Sequence, residues 1–194
     1  MRIAMIGTRK FGEQPAAFTE DYIQATHLVG QMHDVCVTGA AKGSDQVAAR
    51  ESYLYGAELV LVLPWLGYER AWYEEFIRSI ALDRLRSIVL DRPITTMIYR
   101  SQRHHDWTES VNKWHPAPSK LTPASFALHA RNYGIVFGAD AVCALPGATL
   151  GGTGQGMRIA QGLGIPLFDF SRIDALTKFE AWRAGAYEDS LAAC

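Results

Sequence analysis

The chain has 194 residues, 48% of them hydrophobic, which suits one compact domain with a real core. Lys plus Arg number 19 and Asp plus Glu 20, so no global field draws the molecule to nucleic acid or to a membrane. No apolar run approaches membrane-spanning length, the N-terminal MRIAMIG is too short for a signal peptide, and Cys36, Cys143 and Cys194 lack metal-ligand spacing, so a cytoplasmic protein is expected.

In chain order, RIAMIG reads as a strand stopped by Gly7, and PAAFTEDYIQATHLVGQM follows with helical spacing. Val35 to Thr38 repeat the event: glycines make the turn, and SDQVAARESYLYG opens a helix with Ser44 or Asp45 as its N-cap. ELVLVLPW is continuous in its hydrophobicity, as a strand covered on both faces is, and YERAWYEEFIRSI is the helix after it. From about residue 92 to 122 no period is sustained, and this segment reads as an irregular insertion in a single domain spanning 1–194. The pattern resumes with a helix in PASFALHARNYGIVFG, a strand in DAVCALPG, a glycine turn, a helix in GMRIAQGLG, a short strand in IPLFDF and a helix near ALTKFEAWRAG. Strands alternating with helices predict an α/β, Rossmann-like open and mostly parallel sheet with helices on both faces.

In such a sheet the ligand crevice lies beyond the carboxyl ends of the strands, where the winding reverses. Three glycine-bearing polar turns fall there: Gly7 to Arg9, Gly39 to Asp45, and Gly147 to Gln155. The stretch from Leu145 to Pro166 holds seven glycines. Glycine allows positive φ and close approach of the backbone, and a helix N-terminus beside it favours a phosphate or carboxylate. A single turn is ordinary turn chemistry, and three at one edge favour a phosphate-bearing ligand.

IGTRKFG, VTGAAKGSDQVAARESYLYGAELVLVLPW, ARNYGIVFGADAVCALPG and GGTGQGMRIAQGLGIPLF, in that order, resemble the SLOG superfamily of Rossmann-like proteins. That group includes the DNA-processing protein A domain and the Lonely Guy phosphoribohydrolases, and the resemblance is strongest to its small bacterial nucleotide sensors. It implies that Gly7, Thr8 and Arg9 border a nucleotide pocket, that Gly39, Gly43, Ser44 and Asp45 cradle a phosphate or ribose, and that Arg131 and Asn132 reach in from a neighbouring helix. Gly151, Gly152, Thr153, Gly154 and Gln155 would close round the phosphate. A homo-oligomer is also implied. Arg9 and Arg131 offer planar forks suited to phosphate.

Lonely Guy enzymes carry a glutamate in P-G-G-x-G-T-x-x-E that takes part in N-glycosidic cleavage, and no carboxylate stands on the first turn after Gly151-Gly152-Thr153-Gly154. Ala148 to Leu150 also lengthen the loop. Asp45 and Glu51 are the candidate catalytic substitutes, ahead of Asp140 and Glu69, although the N-cap reading of Asp45 is the better one.

The 92–122 segment alternates Arg100, Arg103, Lys113 and Lys120 with Tyr99, Trp107 and Trp114, a composition able to cover the pocket and stack on a base, or to form a solvated loop or an oligomer contact. His104, His105 and Asp106 are rejected as a metal site, because adjacent histidines point apart. Trp65, Tyr68, Trp72 and Tyr73 read as core or dimer packing, with a base-stacking wall as the sharper alternative.

The leading expectation is a protein that binds a nucleotide or nucleotide-derived small molecule as a sensor or sponge, with neither cofactor nor metal. A nucleoside 5′-monophosphate N-glycosidase is the alternative. Single-stranded DNA binding is the second alternative; near-neutral charge argues against nucleic acid as a partner, and no membrane partner is expected.

Overall fold

A computed structural model of the protein describes residues 1–86, 92–147 and 151–185. Ala148 to Leu150 and Cys194 lie outside the described residues. The strands are β1 (Arg2–Gly7), β2 (Val35–Thr38), β3 (Glu58–Leu63), β4 (Ile94–Ile98), β5 (Ala141–Leu145) and β6 (Leu167–Asp169). They form one sheet in the order β4-β3-β2-β1-β5-β6, and every pairing is parallel. The helices are α1 (Ala16–Gln31), α2 (Ser44–Leu54), α3 (Arg70–Arg86), α4 (His105–Trp114), α5 (Pro123–Val136), α6 (Gly151–Gly162) and α7 (Ala175–Arg183).

The side-chain period of two in each strand divides the core between the two faces of the sheet. Ile3 and Met5 of β1 join Cys36, Leu59, Leu61 and Cys143 under α1, α2, α3 and α7. Ala4 and Ile6 join Val37, Val60, Val62 and Val142 under α4, α5 and α6. Both faces are covered, which is why the strands read as continuous apolar runs.

This division follows from chain order and the right-handed crossover rule. From β1 to β4 each new strand is added on the same side of its predecessor, with α1, α2 and α3 on one face. The chain then returns to place β5 beside β1, and the helices of the return, α4 and α5, must lie on the opposite face. The reversal leaves a crevice above the carboxyl ends of β1 and β5.

Three local expectations are corrected. The 92–122 segment holds an edge strand, β4, and an amphipathic helix, α4, where irregular chain was expected. β4 is five residues with no strict alternation, too short to stand out from a polar background. α4 is fixed by aromatic packing: a Cβ at Gly134 of α5 would collide with the Trp107 indole, and one at Gly162 of α6 with the Trp114 indole. Second, α6 starts at Gly151 and not at Gly156, so its first turn is built from the glycines read as loop. Gly156 lets that helix approach β1, since a Cβ there would stand 2.6 Å from Cδ1 of Ile6. Third, Gly43 and not Ser44 or Asp45 is the N-cap of α2, and no side chain caps it. α5 does carry a side-chain cap: Thr122 Oγ1 accepts from the Ser125 amide at 3.2 Å, and Pro123 takes the first position. No helix among the described residues is long and apolar enough to cross a membrane.

Candidate functional site

A cavity of about 410 Å³ opens in the crevice above β1 and β5. Its floor is the turn after β1. Gly7, Thr8, Arg9 and Lys10 line it, and the Thr8 amide donates to the Leu145 carbonyl at 2.9 Å, tying this turn to the end of β5. Ser44 ties it to the turn after β2, donating to the Thr8 carbonyl through both its amide, at 3.1 Å, and its hydroxyl, at 3.0 Å. Gly43 is required at that junction. Its φ of 95° lies in the left-handed half of the map, and a Cβ would press against the backbone of Thr8 and Arg9.

One wall is an acid–base pair. Arg131, on α5, and Asp45, on α2, are both buried, and both terminal nitrogens of the guanidinium donate to the same carboxylate oxygen at 3.3 Å. The Ala41 amide donates to that oxygen as well, also at 3.3 Å. Burial pushes the Asp45 carboxyl above its ordinary value, and Arg131 opposes the shift. Gly39 explains how the arginine fits: its missing side chain is the space the guanidinium occupies. The Arg131 Nε is buried with no partner among the described residues.

The second wall is the rest of the α5 face and the start of α6. Ser125, Leu128, His129 and Asn132 share one side of the helix and line the cavity with Gly151, Gly152 and Thr153. Asn132 Nδ2 donates to the Gly152 carbonyl at 3.1 Å and to Gln155 Oε1 at 2.9 Å. His129 Nδ1 lies 2.6 Å from the same Gln155 oxygen, which can only accept, so Nδ1 is the donor in this bond. Burial lowers the His129 pKa, and the bond to Gln155 opposes this. Gln155 is fully buried and its Nε2 has no partner among the described residues.

The expected site residues therefore divide by role. Gly7, Thr8, Arg9, Asp45, Arg131, Asn132, Gly151, Gly152 and Thr153 line the cavity. Gly39, Gly43, Ser44 and Gln155 shape it from behind, and Gly154 is buried in the first turn of α6. Glu51 is not part of it. Six residues beyond Asp45 it faces the other side of α2, 3.1 Å from His27 Nε2 of α1. Asp140 is at the opposite edge of the sheet, accepting from the Arg2 amide at the start of β1. Asp45 is the one carboxylate among the described residues lining the cavity, and it is committed to Arg131.

Lys10, Ala41, Ser125, Leu128 and His129 line the cavity without having been expected there. Ser125, Leu128 and His129 carried a signal, since they precede Asn132 by helical spacing. The 92–122 segment supplies no lining residue. It reaches the site only behind the wall, where the His115 ring stands edge-on to that of His129 at 4.4 Å.

The chain matches no family model and no curated protein. Its fold is similar to that of DNA processing protein A from Helicobacter pylori, described for its unique single-stranded DNA binding mode, with a TM-score of 0.57 and 19% identity over 96% of this chain and 73% of that one. DNA processing protein A from Streptococcus pneumoniae gives a TM-score of 0.40 and 14% identity over 85% of this chain and 58% of that one, too loose a likeness to carry an argument. The first match shows an all-parallel Rossmann-like fold of the DNA-processing-protein type. It also overturns the argument from charge against nucleic acid: a protein of this fold binds single-stranded DNA. A whole-chain charge count averages over surfaces that never meet a ligand.

Proposed function

We propose that the protein binds nucleotides by their phosphates in the cavity above β1 and β5, and that single-stranded DNA is the form in which they are presented. The observation that carries the phosphate site is the convergence of the α6 N-terminus with the exposed Arg9 guanidinium on one cavity whose only described carboxylate is already ion-paired. Unsatisfied amides of the first turn and the helix dipole supply the uncharged part of an anion site, and Arg9 supplies the charged fork. The Helicobacter pylori protein, with its single-stranded DNA binding, supports the choice of strand over free nucleotide. A second reading, a sensor or sponge for one free nucleotide, is favoured by the cavity volume of about 410 Å³, within the range of small-ligand pockets.

Calorimetric titration with thymidine monophosphate and with oligothymidylate tests this. Arg9→Ala and Thr153→Ala are each expected to weaken binding of both ligands, the arginine change by about 1.5–3 kcal/mol as befits a charged hydrogen bond. Unchanged affinity in both variants would remove the phosphate from this cavity. Tight binding of the monophosphate with no gain for the oligonucleotide would select the free nucleotide.

A further inference from the structure

The turn after β3 runs from Pro64 to Glu69, whose carbonyl opens α3 by accepting from the Tyr73 amide at 3.1 Å. Gly67 has φ 82° and Glu69 has φ 50°, the latter a left-handed conformation that costs a residue with a Cβ. Between β3 and these positions the chain holds Leu66 out at 81% exposure and Trp65 at 38%. The aromatic row of this region thus splits in two. Tyr68 is buried and Trp72 is stacked on Phe76, with ring centroids 5.1 Å apart at 7°, whereas Trp65 faces outward.

Trp65 is nonetheless joined to the cavity. Its indole stands edge-on to Tyr68 with centroids 5.1 Å apart at 85°, and the Tyr68 hydroxyl accepts from Arg9 Nη2 at 3.3 Å. Arg9 lines the cavity. The sequence cavity, Arg9, Tyr68, Trp65 is one continuous track along the carboxyl edge of the sheet. From β5 to β3 the track crosses three strand spacings, about 14 Å. A single nucleotide with its phosphate at the α6 N-terminus falls short of that length.

We propose that Trp65, flanked by Leu66, is a base-stacking subsite for single-stranded nucleic acid, holding the base of a nucleotide adjacent to the one whose phosphate occupies the cavity. The inference rests on the nucleotide reading above and extends it to a ligand longer than one unit. Arg9 lies between the two subsites, exposed and positioned for the phosphate that links them, and an indole face accepts any base.

The test measures fluorescein-labelled oligothymidylate of about ten nucleotides, and thymidine monophosphate, against wild type, Trp65→Ala and Trp65→Phe. Trp65→Ala is expected to lower oligonucleotide affinity roughly 5- to 150-fold, to leave monophosphate affinity unchanged, and to keep the wild-type urea midpoint. Trp65→Phe should retain most of the oligonucleotide affinity. Equal oligonucleotide binding by wild type and Trp65→Ala overturns the subsite while leaving the cavity reading intact. So does a parallel loss of both ligands. Dissociation of a wild-type oligomer by Trp65→Ala, with oligonucleotide affinity unchanged, would assign the tryptophan to contact with a second copy. Wild type that binds neither ligand overturns the nucleotide reading and the subsite together.

Discussion

Arg131 is buried against a carboxylate in a wall that faces the proposed ligand, so its removal should be felt first as lost stability. Arg131→Met leaves the Asp45 carboxylate buried with backbone amides, those of Ala41 and Gly7, in place of the guanidinium, and a cost of about 3–5 kcal/mol in urea unfolding is expected. The charge itself is revealed by pH. Burial raises the folded pKa of Asp45 above its unfolded value of about 3.9, so the folded state keeps its proton longer than the unfolded chain does. The contribution to stability is then fullest below that unfolded value and declines as pH rises through the folded one. The unfolding free energy of wild type relative to Asp45→Asn should therefore fall across that window, and a difference independent of pH would contradict the burial argument. His129 runs the opposite way in sign. Its lowered folded pKa means that the unfolded chain binds more protons just below the ordinary imidazole value of about 6.5, so stability is complete above that value and is lost as pH falls from it toward the folded pKa. Unfolding curves of wild type and His129→Gln at about pH 7.5 and 5.5 should show a shallower loss in the variant.

At the scale of elements, α4 is the test of how far close packing outranks propensity. Replacing a glycine in a helix interior by alanine stabilises the helix by roughly 0.5–1 kcal/mol when nothing else intervenes. At Gly134 and Gly162 the added methyl meets Trp107 and Trp114, and overpacking of this kind costs about 1–3 kcal/mol. Gly134→Ala and Gly162→Ala should each destabilise the protein, and unchanged or raised stability would mean that α4 does not rest on these helices. The same packing explains what was legible in the sequence. β1, β2, β3, β5 and β6 announced themselves as apolar runs because each is covered on both faces. α4 did not, because the residues that hold it are two tryptophans whose partners are glycines on helices distant in sequence. The glycines of α6 misled for a related reason: the sequence shows that bare backbone is needed, and only the fold shows that it is helical and pressed against Ile6.

At the scale of the whole molecule, the candidate site was legible where residues sit in strand-to-helix turns, since topology alone carries every such turn to the carboxyl edge. Glu51 was misplaced because helix phase, not proximity in sequence, decides which side of α2 meets the cavity. Net charge was the weakest guide. A formal charge of −1 restricts long-range steering, yet strand binding depends on the few cations that meet phosphates. Along the edge from β5 to β3 these are Arg9 and Lys42, both exposed, with Lys10 held 2.9 Å from Glu13. Two or three phosphate contacts at about −0.7 each predict a shallow dependence of log K on log salt, with a slope of roughly −1.5 to −2. Raising salt from about 50 to 200 mM should then weaken oligothymidylate binding only about tenfold, against roughly 300-fold or more for six to ten contacts with a single strand. A slope steeper than about −4 would show that the strand follows a much longer basic path than this edge provides. A slope near zero would remove the phosphates from the binding energy, and with them the reason for three glycine turns to meet above β1 and β5.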